Sequence, residues 1–474
     1  MTPRIFITKG MMDEYVALSY VWGEPQPCTT TENIDVRMKK LDLEELPKTI
    51  QDAIIATHRY GLRYLWVDAL CILQDSQADK NCEISDMRRI YHDAHLTIVA
   101  ASAGRVSEGF MQDRPDSTVE RDTRVPFLCP DRTLGSVCLS PVWKQYEELS
   151  EPVSSRAWCL QERMLSPRSM IYASHTLQYC CQTETVNIGD AVCPSVSGKR
   201  LPRAVFNTYT GGVDSIPSQR EMDEARRAWN YILEDYSQRN MTAPSDKLVA
   251  LSGVAAQFQR VWPRSEYLAG IWRHTLVEDL LWLKNYAKRH PRPVQYRAPS
   301  WSWAAVDGHV NTGTEDDSRL DTDRYSISEC KVVYCSVMLA SEMVIFGGVV
   351  GGVLQLRAAL VRVTWNPTAE MPDLFVFREG ERVCVACSYP DSAEESESVE
   401  EVWAVPVRWN LKESYAVGLI VIAAEGGDFR RVGYFHSTED SKDLGWFVFE
   451  QLVQVRIVYL FMLKIVRNID NEAD

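Results

Sequence analysis

Along the first hundred residues, continuous apolar runs alternate with stretches where apolar residues recur every three or four positions. That alternation predicts strands and helices in turn. Residues 15–22 form a β-rich run stopped by Gly23 and Pro25. Pro47 opens a helix with Ile50, Ala53, Ile54 and Thr57 on one stripe, and Gly61 stands where a left-handed residue would end it. Residues 64–72 are almost continuously apolar, as in a strand covered on both faces. Ile84, Met87, Tyr91 and Ala94 share one face of a second helix, and residues 96–101 read as a third strand. This order, with right-handed crossovers, predicts an α/β domain with parallel strands at 15–22, 64–72 and 96–101.

Further on the pattern loosens. Strands are expected near Val125 and Val137, then a helix over 155–165 capped by Ser154 or Ser155. Residues 182–220, rich in Gly, Ser and Pro, read as a linker or long loop. Helices are expected over 221–236, 247–262 and 265–286, and an antiparallel sheet beyond 300, where the runs become short and β-branched. The acidic run 393–401 reads as a solvated loop, and Gly347 to Gly352 as a bent strand pair. Trp229, Trp262, Trp272, Trp282, Trp301 and Trp303 are more large apolar groups than one helical region is expected to bury alone.

The chain's 474 residues exceed one ordinary core, and its 45% hydrophobic and 24% charged content is that of a folded protein. A formal net charge of -14 argues against duplex nucleic acid or an anionic membrane surface as the main partner. The 13 cysteines are an odd number scattered through apolar runs, as expected of free thiols in a reducing compartment. No run reaches the roughly 18 uncharged apolar residues of a membrane span, and residues 1–10 show no signal-peptide pattern. A cytoplasmic protein without a membrane span is expected.

Five blocks, in order, resemble the fungal heterokaryon incompatibility (HET) domain: residues 15–23, 46–53, 64–75, 87–94 and 155–166. The third, Tyr64-Leu65-Trp66-Val67-Asp68-Ala69-Leu70-Cys71-Ile72, and the last, Arg156-Ala157-Trp158-Cys159-Leu160-Gln161-Glu162, carry most of the likeness, which covers about residues 13–175. Residues 245–253, 267–272 and 298–304 resemble segments of longer family members and extend it to about 308. The domains expected are a HET domain over 13–175, a helical family-specific region over 220–308 and a β-rich region over 320–474. The resemblance implies a fungal protein of non-self recognition whose signalling ends in programmed cell death, acting through protein partners or self-association. HET domains are in turn distantly similar to Toll-receptor-type (TIR) domains, which implies a TIR/flavodoxin-like parallel sheet. The position matching the NAD-cleaving glutamate of enzymatic TIR domains is Glu162. The pattern departs in one place: about fifty residues separate the third strand from the Glu162 helix, where TIR domains have a short loop.

On a helix Glu162 shares a face with Trp158 and Leu165 and so does not lie on a purely polar surface. Nicotinamide leaves NAD as a neutral base, so cleavage of its glycosidic bond needs only a stabilised oxocarbenium-like centre and a held ribose, which one carboxylate can supply. The alternative is a structural ion pair with Arg156, Arg163 or Arg168. Ser19, Trp22 and Asp75 are the candidate substrate-binding residues, because ligands of open α/β sheets bind outside the strands' carboxyl ends. Capping of the next helix is the alternative for Asp75, and mid-strand Asp68 reads as a paired structural carboxylate. Cys384 and Cys387 lack a second pair at zinc-finger spacing, and neither Cys71 nor the Cys180–Cys181 pair sits in a thiol-protease signature. No metal and no bound cofactor is expected; NAD would enter only as a substrate.

Overall fold

The computed structural model describes residues 2–113, 123–139, 147–174, 176–188, 200–206, 217–284, 289–312, 330–368, 372–397, 400–410, 415–437 and 461–465. The chain divides into two compact units, Met1–Leu201 and Pro202–Asp474.

The elements of the first unit, in order, are β1 (Tyr15–Ser19), α1 (Ile34–Arg37), α2 (Lys48–Arg59), β2 (Tyr64–Trp66), α3 (Asp68–Cys71), α4 (Gln77–His92), β3 (Leu96–Val99), β4 (Thr123–Leu128), β5 (Leu134–Leu139), α5 (Ala157–Leu165), β6 (Arg168–Tyr172), β7 (Leu177–Cys181) and β8 (Thr185–Ile188). Six strands form one sheet in the order β2-β1-β3-β6-β7-β8. The pairs β1–β2, β1–β3 and β3–β6 are parallel, as expected for the first three strands, while β6–β7 and β7–β8 are antiparallel. Strands β4 and β5 pair only as an antiparallel hairpin at the positions expected near Val125 and Val137.

Successive side chains of β3 serve opposite faces of the sheet. Ile98 joins a core with Val16, Leu18, Ile50, Ala53 and Phe110, which places α2 on that side. Val99 joins Cys159, Ile171 and Ala173, which places α5 on the other. Asp52 of α2 is buried, yet its carboxylate accepts the N–H groups of Phe110 (2.9 Å) and Met111 (3.1 Å) and pairs with Lys48. It ties the segment after β3 to α2 without leaving a buried charge unmatched. Gly23, at φ +67°, turns the chain after β1 against Arg105, whose Cα would stand 2.9 Å from any Cβ placed there.

Three local expectations fail for identifiable reasons. The apolar run 64–72 is not one strand, because it bends at Val67 into the short helix α3. Asp68 opens that helix, its Oδ1 accepting the N–H of Ala69 at 2.6 Å, and Ala69 and Leu70 are buried. Apolarity alone cannot separate a strand from a strand plus one buried helical turn. Neither Ser154 nor Ser155 caps α5: both lie in the 3₁₀ turn Pro152–Ser155, and Arg156 stands at the N-cap without a side-chain cap. Part of the expected linker, Thr185–Ile188, is the edge strand β8.

In the second unit α6 (Arg203–Phe206) precedes α7 (Gln219–Ser237), which starts with a Ser218–Glu221 capping box. The expected helix over 247–262 is shorter, as α8 (Ser252–Phe258) after a 3₁₀ turn. The one over 265–286 is mostly absent. A hairpin of β9 (Tyr267–Leu268) and β10 (Ile271–Trp272) takes its place, followed by α9 (Leu276–Asp279) and β11 (Leu283–Lys284), which pairs with β12 (Val310–Asn311). The hairpin turns on Ala269 and Gly270, both at positive φ, with Gly270 packed on the Trp303 ring.

The β-rich part comprises β13 (Lys331–Leu339), β14 (Val349–Ala358), β15 (Val361–Asn366), β16 (Asp373–Arg378), β17 (Glu381–Pro390), β18 (Glu400–Asn410), β19 (Tyr415–Ala423), β20 (Phe429–His436) and β21 (Phe461–Ile465). Strands β15 to β20 close into an antiparallel barrel, because β20 pairs with both β17 and β19. Its interior holds Val361, Val363, Trp365, Leu374, Val385, Ile420 and Phe435. The six tryptophans are buried, and Trp272 packs edge to face with Trp229, Trp262 and Tyr267, while Trp229 packs edge to face with Phe258 of the same unit. Arg431 of β20 is fully buried. It donates to Leu280 O and Trp282 O, pairs with Asp391 and stacks on the Trp282 ring at 3.4 Å, joining barrel to helices. Within the acidic run Glu395 is not solvated: it pairs with Arg292 and Arg430.

Candidate functional site

The parallel strands β2, β1 and β3 end side by side, and the residues that follow them meet the N-terminal part of α5. Arg156 Nη1 donates to Tyr20 O at 2.7 Å, and its guanidinium lies 5.8 Å from the Trp22 ring centroid. Trp22 Nε1 donates to Asp68 Oδ2 at 2.9 Å, fixing the indole across the ends of β1 and β2. The thiol of Cys159, one turn into α5, lies 3.7 Å from Tyr20 O. From α4, Tyr91 donates its hydroxyl to Leu18 O at 3.0 Å.

Glu162 lies beneath this layer. Its side chain is 4% exposed, and its Oε2 has no hydrogen-bond partner. Ser19 Oγ, at the end of β1, is equally buried and also without a standard hydrogen bond. Burial pushes the Glu162 carboxyl up to about 7; Arg156, the Ser19 hydroxyl and the Cys159 thiol hold it down, and the charge of Asp68 adds to the rise. Burial likewise raises Tyr91 well above its ordinary value, reinforced by Glu162 and Asp68. Burial works against the Arg156 charge, but Cys159, Asp68, Glu162 and Tyr20 together lift its pKa above the ordinary value. The cluster is a buried, low-dielectric group of side chains in which a proton or a cationic centre can shift the charge of one carboxyl.

The candidates from sequence divide accordingly. Glu162, Ser19 and Trp22 meet in this cluster. Asp75 does not: its exposed carboxylate accepts the N–H of Thr31 at 3.0 Å and the Thr31 hydroxyl at 2.6 Å. Asp75 does not cap α4 either, since Ser76 does so by accepting the N–H of Asp79. The acidic residue at the strand ends is Asp68, which the run of apolar neighbours disguised as a mid-strand position. Of the arginines, Arg163 pairs with Glu148 and Arg168 donates to His95 O, leaving Arg156 as the guanidinium that acts on Glu162. Tyr91 and Cys159 lie within the blocks that resemble the family, but neither was singled out as a site residue.

Glu162 does not stand open in a crevice. A cavity in this unit lies instead behind the C-terminal end of α5, lined by Arg163, Met164, Ser166, Ser169, Ile171, Cys180, Cys181, Gln182 and Arg200. Among the described residues no His, Cys, Asp and Glu group is arranged to hold a metal ion, Cys384 and Cys387 included. Among them, too, no helix is long and apolar enough to cross a membrane.

Residues 15–162 match the sequence model of the heterokaryon incompatibility protein (HET) family, a span that runs from the first residue of β1 to Glu162 itself. Heterokaryon incompatibility protein 6, OR allele, of Neurospora crassa is 33% identical over 96 residues, which is 18% of this chain and 14% of that protein. The similarity thus spans far less than two thirds of that relative. No solved structure matches the chain. The chain thus carries a heterokaryon incompatibility (HET) domain over residues 15–162.

Proposed function

We propose that the chain acts in fungal heterokaryon incompatibility as a cytoplasmic non-self recognition protein. Its HET domain signals programmed cell death through protein partners or self-association. The observation that carries this reading is the match over residues 15–162, which takes in the parallel strands β1, β2 and β3, the helices α2 and α4 and the layer over Glu162. Expression of the full chain from an inducible promoter in a filamentous fungus, alone and in mixed-strain fusions, tests it. Vital-dye uptake in fused cells is the expected result; normal growth in every pairing would overturn the proposal.

A second reading has one specific observation in its favour: a buried carboxyl with an unpartnered oxygen, set at the carboxyl ends of a parallel sheet ordered β2-β1-β3-β6. That strand order fits a TIR/flavodoxin-like domain. In this reading the domain is an NAD glycohydrolase, with NAD as substrate and water as co-substrate. Ionised Glu162 would stabilise the oxocarbenium-like ribose as nicotinamide departs, and Ser19, Trp22 and Asp68 would line the site. Because Glu162 is buried, the Trp22–Asp68 layer must open for substrate to reach it. Nicotinamide release from NAD by the purified chain, rising with pH through about 7 as Glu162 ionises, is the expected signature. Release that is unaffected in Glu162→Gln would remove Glu162 from the chemistry.

A further inference from the structure

Between β3 and α5 the chain forms the hairpin β4–β5. Its tip is tied by the Arg132 N–H, which donates to Cys129 O at 2.9 Å, and by Asp131, which accepts the N–H and the hydroxyl of Thr133. Among the described residues neither strand pairs with any strand but the other. All of β4 is exposed, Phe127 at 51% and Leu128 at 63%, and on β5 Leu134 is exposed at 78% and Val137 at 43%. A two-stranded ribbon without a packed face is marginal by itself, and a patch of large apolar groups on it marks a surface that associates.

The two outer edges of the hairpin differ. Cys129 N–H donates to Thr133 O at 2.9 Å, and the register runs without a shift from Leu128↔Leu134 to Thr123↔Leu139. In such a ladder every second residue turns its N–H and C=O toward the partner strand. Thr123, Val125 and Phe127 therefore bond to Leu139, Val137 and Gly135. Arg124, Pro126 and Leu128 on β4 turn their backbone groups outward, and so do Leu134, Ser136 and Cys138 on β5. Pro126 has no N–H, and its ring blunts the β4 edge at its middle. The β5 edge has neither a proline nor a charged residue over 134–139, so nothing in it discourages a further strand.

The register also makes the β5 edge complementary to itself. With two copies antiparallel about a two-fold axis at Ser136, its outward groups meet those of Ser136 in the second copy, and those of Leu134 meet those of Cys138. Gly135 then stands opposite Val137 of the second copy. Inside the hairpin Gly135 is already the partner of Phe127, and Val137 of Val125. One face of the joined sheet thus reads Val125, Val137, Gly135, Phe127 across the strands, with the order reversed in the next row, so apolar side chains flank each glycine gap on both sides. Sliding the copies to the next register either way sets Gly135 opposite itself or Val137 opposite itself and loses this fit.

We propose that the open edge of β5 is a self-association surface, on which two copies of this chain join their hairpins into one four-stranded antiparallel sheet. This goes beyond the incompatibility reading, on which it does not depend. One six-residue strand pair with its flanking side chains buries less than the roughly 1,200 Å² of a standard complex, so the association is reversible and set by concentration.

Sedimentation velocity of the full purified chain, from low to high micromolar concentration, tests it. The dimer fraction should rise with concentration, and amide exchange should slow over 134–138 but not over 124–128. Ser136→Pro removes the outward N–H at the two-fold axis, and Ser136→Lys sets two like charges opposite each other; neither touches a bond inside the hairpin. Each should abolish the dimer with the melting curve unchanged. Leu128→Lys, on the blunted strand, should leave the dimer intact. A chain that stays monomeric throughout would overturn the proposal, and so would a dimer that survives both Ser136 variants. Loss of the dimer in Leu128→Lys would overturn edge pairing in favour of stacked apolar faces. All of this is read on purified protein, so a negative death assay leaves the result standing.

Discussion

Replacing Glu162 by glutamine keeps the side chain's shape and removes its charge, and the geometry dictates an unusual result. An acid at 4% exposure whose pKa rises from 4.5 to about 7 holds its proton more tightly folded than unfolded. Below pH 4.5 both states are protonated and ionisation costs nothing. Between 4.5 and about 7 unfolding releases a proton, so stability falls as pH rises. Above about 7 the full cost is present, and the difference between the two pKa values corresponds to roughly 3 kcal/mol. Glu162→Gln removes that cost. The variant should match the parent chain at pH 4.5 and exceed it at pH 8 by roughly 3 kcal/mol, or about 6–12 °C in melting temperature for a unit of this size. Calorimetry at the two pH values, following the transition of the first unit, reads this directly. A structural ion pair would give the opposite result, since the glutamine variant would then be the less stable one at pH 8. That outcome, or an equal difference at both pH values, would refute the reasoning. If the same variant is more stable and no longer triggers death or releases nicotinamide, Glu162 is kept for function at the expense of stability.

Three further outcomes follow from the geometry. Gly23→Ala forces a Cβ into Arg105 and Gly104 at φ +67° and should lower stability by about 1–3 kcal/mol in urea unfolding. Asp75→Asn, at an exposed carboxylate bonded to Thr31, should leave the melting curve and any NAD cleavage nearly unchanged; a large loss of cleavage would return Asp75 to the site. Arg431→Met removes the cation bonded directly to buried Asp391, leaving Arg292 at 3.8 Å, and should destabilise the second unit by about 3–5 kcal/mol; a neutral effect would show that the barrel does not depend on this pair.

The first unit's plan was legible because burial on both faces of a parallel sheet writes long apolar runs, and a helix laid on that sheet writes a 3.6-residue stripe. Residues 15–19, 48–59 and 96–99 obey those rules, and so does the placement of Glu162 on a helix against the sheet. The rules fail where two structures bury the same residues. The run 64–72 is apolar whether it is a strand or a strand and a buried turn, and the choice moved Asp68 from mid-strand to the mouth of the site. Residues 265–286 contain helix-spaced apolar groups, but Gly270 could pack on Trp303 only by turning the chain into a hairpin.

Periodicity and the five ordered blocks in the sequence were enough to determine the family, the mixed α/β class and the parallel first three strands. These are properties of neighbours along the chain and of which face of an element is apolar. Tertiary structure alone decided the charge of the site. Whether Glu162 is a charged ion-pair partner or a buried acid with a pKa of about 7 depends on Arg163 finding Glu148 and Arg168 finding His95, which leaves Arg156 as the guanidinium acting on it. Barrel closure, which rests on β20 pairing with both β17 and β19, was decided in the same way. Such contacts join residues far apart in the chain, and their energies depend on distance and local dielectric, neither of which is carried by the order of the residues.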